Sequence, residues 1–215
     1  FLDCLANNLN NINVSYCPLL ETIDCKRNNL SNIDISNNIN LLNFWGTENF
    51  LTSIDVSQNV NLESLFIGHN SLQSIDVTNN TKLLELYINN NQITEINITP
   101  NIDLESFACS FNQINNLDVT QNTMLRTLRC GSNPLSNIDV TQNSHLSLLS
   151  CSGIQISSLD VSQNQNLYTL QCSGTNLTNL DISQNENLTL LYCSSTQLTN
   201  INLSSNNQNL QRIEF

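Results

Sequence analysis

Apolar residues return along this chain with a period of 21, and polar residues hold fixed places between them. The leading apolar position recurs at Leu9, Leu30, Leu51, Leu72, Ile93, Ile114, Leu135, Ile156, Leu177 and Leu198 without a slipped step. Such self-similarity predicts a solenoid, because one repeat cannot bury its apolar face alone and must stack on its neighbours. Within each repeat the segment around Leu65-Phe66-Ile67 alternates in, out, in, which is the period of a half-buried strand. Stacking pairs these strands in parallel, about 4.8 Å apart, into a concave sheet. Leu72, Ile75 and Val77 also point inward with Asp76 between them, so the return path is expected to be a second short strand or an extended segment. A repeat this short has little room for a helix. The predicted fold is therefore mainly β and nearly helix-free, on the order of 50 Å long.

Each repeat carries Leu-x-x-Leu-x-(Cys/Ile)-x-x-Asn-x-Leu, for instance Leu125-Arg126-Thr127-Leu128-Arg129-Cys130-Gly131-Ser132-Asn133-Pro134-Leu135. This resembles the leucine-rich repeat at the short end of its length range, and the resemblance covers essentially the whole chain. The return-path run Ile/Leu-Asp-Val-Ser/Thr-Gln-Asn is similar to the short repeats of bacterial surface and secreted proteins, of the Bacteroidetes type and more distantly the internalins. The resemblance implies a right-handed solenoid acting as a non-enzymatic extracellular recognition module, secreted or at the cell surface. The chain is expected to be a single domain of about ten repeats. It begins and stops inside a repeat and reads as an uncapped piece of a longer protein, with any targeting signal outside it.

Two asparagine columns read as structural. Asn7, Asn28, Asn49, Asn70, Asn91, Asn112 and Asn133 should satisfy buried backbone groups in the turn after the strand. This column breaks at Ile154, Thr175 and Thr196, where Thr can replace part of the bonding and Ile none. The second column, Asn38, Asn59, Asn80, Asn101, Asn122, Asn143, Asn164, Asn185 and Asn206, marks the convex turn, where Asn is expected to adopt a left-handed backbone and bond locally. Seven of the eight cysteines (Cys4, Cys25, Cys109, Cys130, Cys151, Cys172, Cys193) share one inward column with Ile67 and Ile88. A site that accepts Cys or Ile is a small apolar core position, so these should be buried free thiols. Neighbouring strands are too far apart for an easy disulfide, and a straight row cannot surround a metal tetrahedrally. Cys17 lies outside the column as a lone thiol.

The net charge of −12 argues against nucleic acid or an anionic membrane surface as partner. No apolar run is long enough to insert in a bilayer. Asp34, Asp55, Asp76, Asp118, Asp139, Asp160 and Asp181 project in a row from the return path. Stacked like charges are expected to raise one another's pKa. A divalent-cation stripe through Asp118, Asp139, Asp160 and Asp181 is the weaker reading; bonding of each carboxylate to Ser/Thr and backbone donors in the turn is the stronger. Catalysis has no candidate constellation. His69 and His145 lie more than three repeats apart, Glu63 and Glu85 face a flat surface, and nothing requires a cofactor.

The outward column of the concave sheet is where the repeats become individual: Asp3, Asp24, Trp45, Phe66, Tyr87, Ala108, Arg129, Ser150, Gln171, Tyr192. Trp45, Phe66 and Tyr87 occupy consecutive rungs, and contiguous exposed aromatics mark interaction sites. Phe111, His69 and Glu48 are expected at the rim of that patch. The function indicated is recognition of a protein or peptide through this face. A carbohydrate-binding module and a structural or adhesive spacer are the alternatives.

Overall fold

The computed structural model describes all 215 residues and contains strands, turns and bends but no helix. Eleven short strands form one parallel sheet: Leu2–Asp3, Thr22–Asp24, Asn43–Trp45, Ser64–Phe66, Glu85–Tyr87, Ser106–Ala108, Thr127–Arg129, Leu148–Ser150, Thr169–Gln171, Leu190–Tyr192 and Arg212–Glu214. Each pairs with the next, and every pair but the last keeps the same 21-residue register, so Leu65 sits beside Leu86 and Phe66 beside Tyr87. The chain thus coils as a leucine-rich-repeat solenoid of about ten turns. The return path is extended; only Asn179–Asp181 and Asn200–Asn202, in the last turns, pair as a second parallel sheet.

The apolar columns meet inside. Forty-eight buried residues make one continuous core that runs the length of the solenoid. The column of Cys and Ile has one further occupant, Gly46, and the reason is local. A Cβ there would lie 2.8 Å from Cε1 of Phe44, whose large ring already fills the space. In that repeat a large residue and a small one compensate. Cys25, Cys109, Cys130, Cys151, Cys172 and Cys193 are buried free thiols, Cys4 is half-buried and Cys17 is exposed. Burial, which disfavours the thiolate, pushes Cys25, Cys130 and Cys172 up to about 12.

The first asparagine column does what the pattern requires. Asn112 Nδ2 donates to Ile88 O (2.9 Å) and Cys109 O (3.0 Å), while its Oδ1 accepts from Ile93 N (2.9 Å). One amide thus ties its own turn to the previous repeat. Where the column fails, Thr175 Oγ1 keeps only the bond to Cys172 O (2.8 Å), and Thr196 Oγ1 donates to Cys193 O (2.9 Å) and accepts from Leu198 N at 3.5 Å.

The second column differs from the expectation in two ways. Its asparagines are fully buried, and they bond across repeats rather than locally: Asn122 Nδ2 donates to Ile98 O and Asn101 O, both at 2.8 Å. The left-handed backbone belongs to a different column, the residue just before the first asparagine ladder, from Ala6 (φ 54°) through Phe111 (φ 58°) to Gly153 (φ 73°) and Gly174 (φ 68°). The turn geometry assigns left-handedness there because the chain reverses immediately after the strand. Asn206 also misses its place. An inserted residue makes Leu190 pair with Arg212, an offset of 22, and Asn207 supplies the ladder bonds to Ile182 O and Asn185 O.

Candidate functional site

The strand register puts Trp45, Phe66 and Tyr87 on three adjacent strands, all on the solvent face of the eleven-stranded sheet. Their rings stack. Trp45 and Phe66 have centroids 6.2 Å apart and planes 18° from parallel; Phe66 and Tyr87 are 4.4 Å apart and 7° from parallel. Each polar ring is anchored to the following strand, with Trp45 Nε1 donating to Ser64 Oγ (3.1 Å) and Tyr87 Oη bonded to Ser106 Oγ (3.0 Å). All three side chains are half-buried. Lys26 Nζ lies 4.8 Å from the Trp45 ring centroid and forms an ion pair with Asp24 at 3.1 Å. The inner faces of the stack cover one another, so it presents ring edges along its length and one ring face at its Tyr87 end.

The other three residues, expected at the rim of the patch, lie just past the strands. Glu48, His69 and Phe111 all occupy the left-handed turn column. Glu48 pairs with Arg27 at 3.2 Å, and the His69 ring contacts Asn90 Nδ2 at 3.3 Å. Phe111 is 60% exposed and makes no ring stacking with the aromatic column. The stacked trio and the turn column are thus two separate rows. Sequence reasoning missed Lys26, Ser64 and Ser106, whose partners are visible only once the register is known. It also missed a groove of about 460 Å³ beside Tyr87, lined by Leu84, Glu85, Glu105, Ser106, Arg126 and Thr127. The depression is shallow and open to solvent on the otherwise flat surface around Glu85. A larger concavity of about 600 Å³ lies on the return side, but Ser74, Asp76, Glu95 and Asn97 give it a mostly polar lining with little apolar anchorage.

The aspartate column overturns the expectation of raised pKa values. Asp34, Asp55, Asp76, Asp139 and Asp181 are held below the ordinary carboxylate value first by the hydroxyl of the Ser or Thr two residues on, then by its backbone N–H. Asp118 is lowered first by the N–H of Thr120 and then by its hydroxyl. The hydroxyl bonds are short, 2.7 Å at Asp34, Asp76, Asp118 and Asp139. Repulsion between neighbours is the lesser effect because every carboxylate is exposed and water screens it. In Asp118, Asp139, Asp160 and Asp181 one oxygen is likewise committed to its own turn. No group of three His, Cys, Asp or Glu side chains converges with metal-binding geometry.

No protein-family model and no curated protein matches the chain. Solved structures do. The functional domain of InlJ from Listeria monocytogenes, which includes a cysteine ladder, is 34% identical with a TM-score of 0.90, over 97% of this chain and 51% of that one. A leucine-rich-repeat protein of Leptospira interrogans is 27% identical with a TM-score of 0.90, over 100% of this chain and 60% of that one. The internalin InlF of Listeria monocytogenes, 21% identical with a TM-score of 0.70, shares the fold over 94% of this chain. This chain spans about half of the InlJ chain and three fifths of the Leptospira one. Its structural neighbours include bacterial leucine-rich-repeat proteins, and proteins of this fold are in general protein-interaction modules.

Proposed function

We propose that this leucine-rich-repeat solenoid is a non-enzymatic recognition module that binds a protein or peptide through the solvent face of its main sheet, at the column Trp45–Phe66–Tyr87. The observation that carries the reading is the stack itself: three large rings in van der Waals register, half-exposed on an otherwise polar face. Peptides suit ring edges flanked by amides and carboxylates, since both apolar contact and backbone hydrogen bonding are on offer. A polysaccharide platform needs several open ring faces, and here Phe66 is covered on both sides and Trp45 by Lys26, which leaves a single face on Tyr87. The sugar reading is accordingly the weaker one. No helix is long and apolar enough to cross a membrane. We place the module in a secreted or cell-surface protein, in keeping with the internalin-like repeats of its neighbours.

The test is selection of a displayed random 12-mer peptide library on the domain, beside a glycan array. Selected peptides should lose about 2 kcal/mol, roughly thirtyfold in affinity, when Trp45 is replaced by Ala. Gln171→Ala, four rungs beyond Tyr87 in the same column, should leave affinity within about twofold. Stability should fall by about 1 kcal/mol in Trp45→Ala, since the bond to Ser64 and the stacking on Phe66 are lost. Affinity intact in Trp45→Ala together with a sharp drop in Tm would make the column cross-strand packing and nothing more. Glycans bound and peptides ignored would reverse the ranking of ligands.

A further inference from the structure

The aromatic stack is closed at one end and open at the other. Lys26 caps Trp45 with a cation at 4.8 Å. Past Tyr87 the next rung is Ala108, whose methyl group cannot cover a ring face. No cation of this chain stands over Tyr87. Beside this open end lies the groove of about 460 Å³, with the half-exposed Leu84 and Tyr87 as its apolar walls and Glu85 and Glu105 as its carboxylates. Its one basic residue, Arg126, is already engaged with Glu105 at 3.3 Å. Glu85 has no basic partner, nor has Glu63 on the preceding repeat, whose carbonyl accepts the N–H groups of Leu84 and Glu85. The groove therefore carries an unbalanced negative charge next to the electron-rich face of a tyrosine.

We infer that this groove is the seat for a basic side chain, arginine or lysine, of the partner peptide. The cationic head lies over the Tyr87 ring and beside the Glu85 carboxylate, and the methylene stem runs along Leu84. The chain shows the same contact with its own residues, at Lys26 over Trp45 and at Arg212 over Tyr192 (5.7 Å), so ring and cation suit each other on this face. The charge of −12 draws a basic segment toward the surface before contact. Arg129, two rungs past Tyr87, is exposed and unpaired, and it opposes a cation at this place. The inference rests on the peptide reading above and specifies which peptides.

Two probes separate the ideas. The first is the 12-mer display selection; the second is N-acetyl-arginine amide, with N-acetyl-lysine amide and N-acetyl-glutamate for comparison, titrated while NMR follows the Tyr87 ring and the Leu84 methyls. Selected peptides should be enriched in Arg and Lys, should weaken roughly three- to tenfold with Glu85→Gln or with Tyr87→Leu, and should tighten with Arg129→Ala. N-acetyl-arginine amide should shift the Tyr87 and Leu84 signals, and N-acetyl-glutamate should not. Peptides that depend on Trp45 but show no basic enrichment, and no response to Glu85→Gln in a variant of unchanged circular dichroism, would overturn the basic seat and leave peptide recognition standing. Shifts with arginine amide but no selected peptides would support the seat against the peptide reading; failure of both probes would remove both.

Discussion

The two asparagine ladders donate the same two amide bonds and differ in whether the amide oxygen finds a donor, and substituting one residue from each tests the accounting. Asn112 contributes three hydrogen bonds, two donated and one accepted. Asn112→Ala leaves Ile93 N and the carbonyls of Ile88 and Cys109 with one partner fewer, at about 1 kcal/mol each, so the domain should lose about 3 kcal/mol. Asn112→Thr should restore one bond, as Thr175 does with Cys172 O, and cost about 2 kcal/mol. Asn122 is different. Its Nδ2 makes two bonds, but its Oδ1 is buried without a partner, in a row that runs from Asn38 to Asn185. Asn122→Ala therefore loses two bonds and relieves one orphaned acceptor, for a net cost of about 1 kcal/mol. The volume removed is identical in the two Ala variants, so the difference of about 2 kcal/mol reports the polar groups. Guanidinium denaturation followed by circular dichroism gives these values by linear extrapolation. An unchanged m-value is needed for the comparison, because repeat arrays can lose their two-state behaviour. If Asn122→Ala costs as much as Asn112→Ala, or if Thr is no better than Ala at position 112, the reasoning fails.

The aspartate turns give stability a pH dependence of definite sign. Their folded pKa values are lowered below the unfolded value near 3.9, so their contribution is complete above that value and lost as pH falls through the folded ones. Tm should hold steady from pH 7 to about pH 5 and drop below about pH 4; a rise on acidification would contradict it. Thr120→Ala should raise the Asp118 pKa in an NMR titration, since the hydroxyl bond is removed. For the cysteines, a thiol reagent at pH 8 should find Cys17 at once in the native domain, and all eight thiols after unfolding without reductant. Fast native reaction at Cys130, which burial pushes up to about 12, would disprove the closed column.

Much of this protein is legible in a periodic sequence, because a period is itself a statement about neighbours. Once Leu65, Leu86 and Phe107 share a register, their burial, the parallel sheet and the row of thiols follow without knowledge of any angle. The outward column that includes Trp45, Phe66 and Tyr87 follows for the same reason. The sense of the Asp pKa shifts does not. It depends on whether a hydroxyl two residues away comes within 2.7 Å or a like charge one repeat away prevails, and only the turn geometry decides that.

The site divides along the same line. Strand alternation alone places three rings on one face, and it gives Glu48, His69 and Phe111 only a place at the rim, past the end of the strands. The chain reverses between the strand and those residues, through a left-handed turn, and carries them to a separate row. The inserted residue that moves the ladder to Asn207 is likewise invisible to a period that it breaks only once. What the sequence by itself determined is which residues stack on which, since translation by one repeat maps each residue onto its spatial neighbour. What only the tertiary structure decided is everything set by direction: which way a ring leans, which amide oxygen finds a donor, and that a groove opens beside Tyr87.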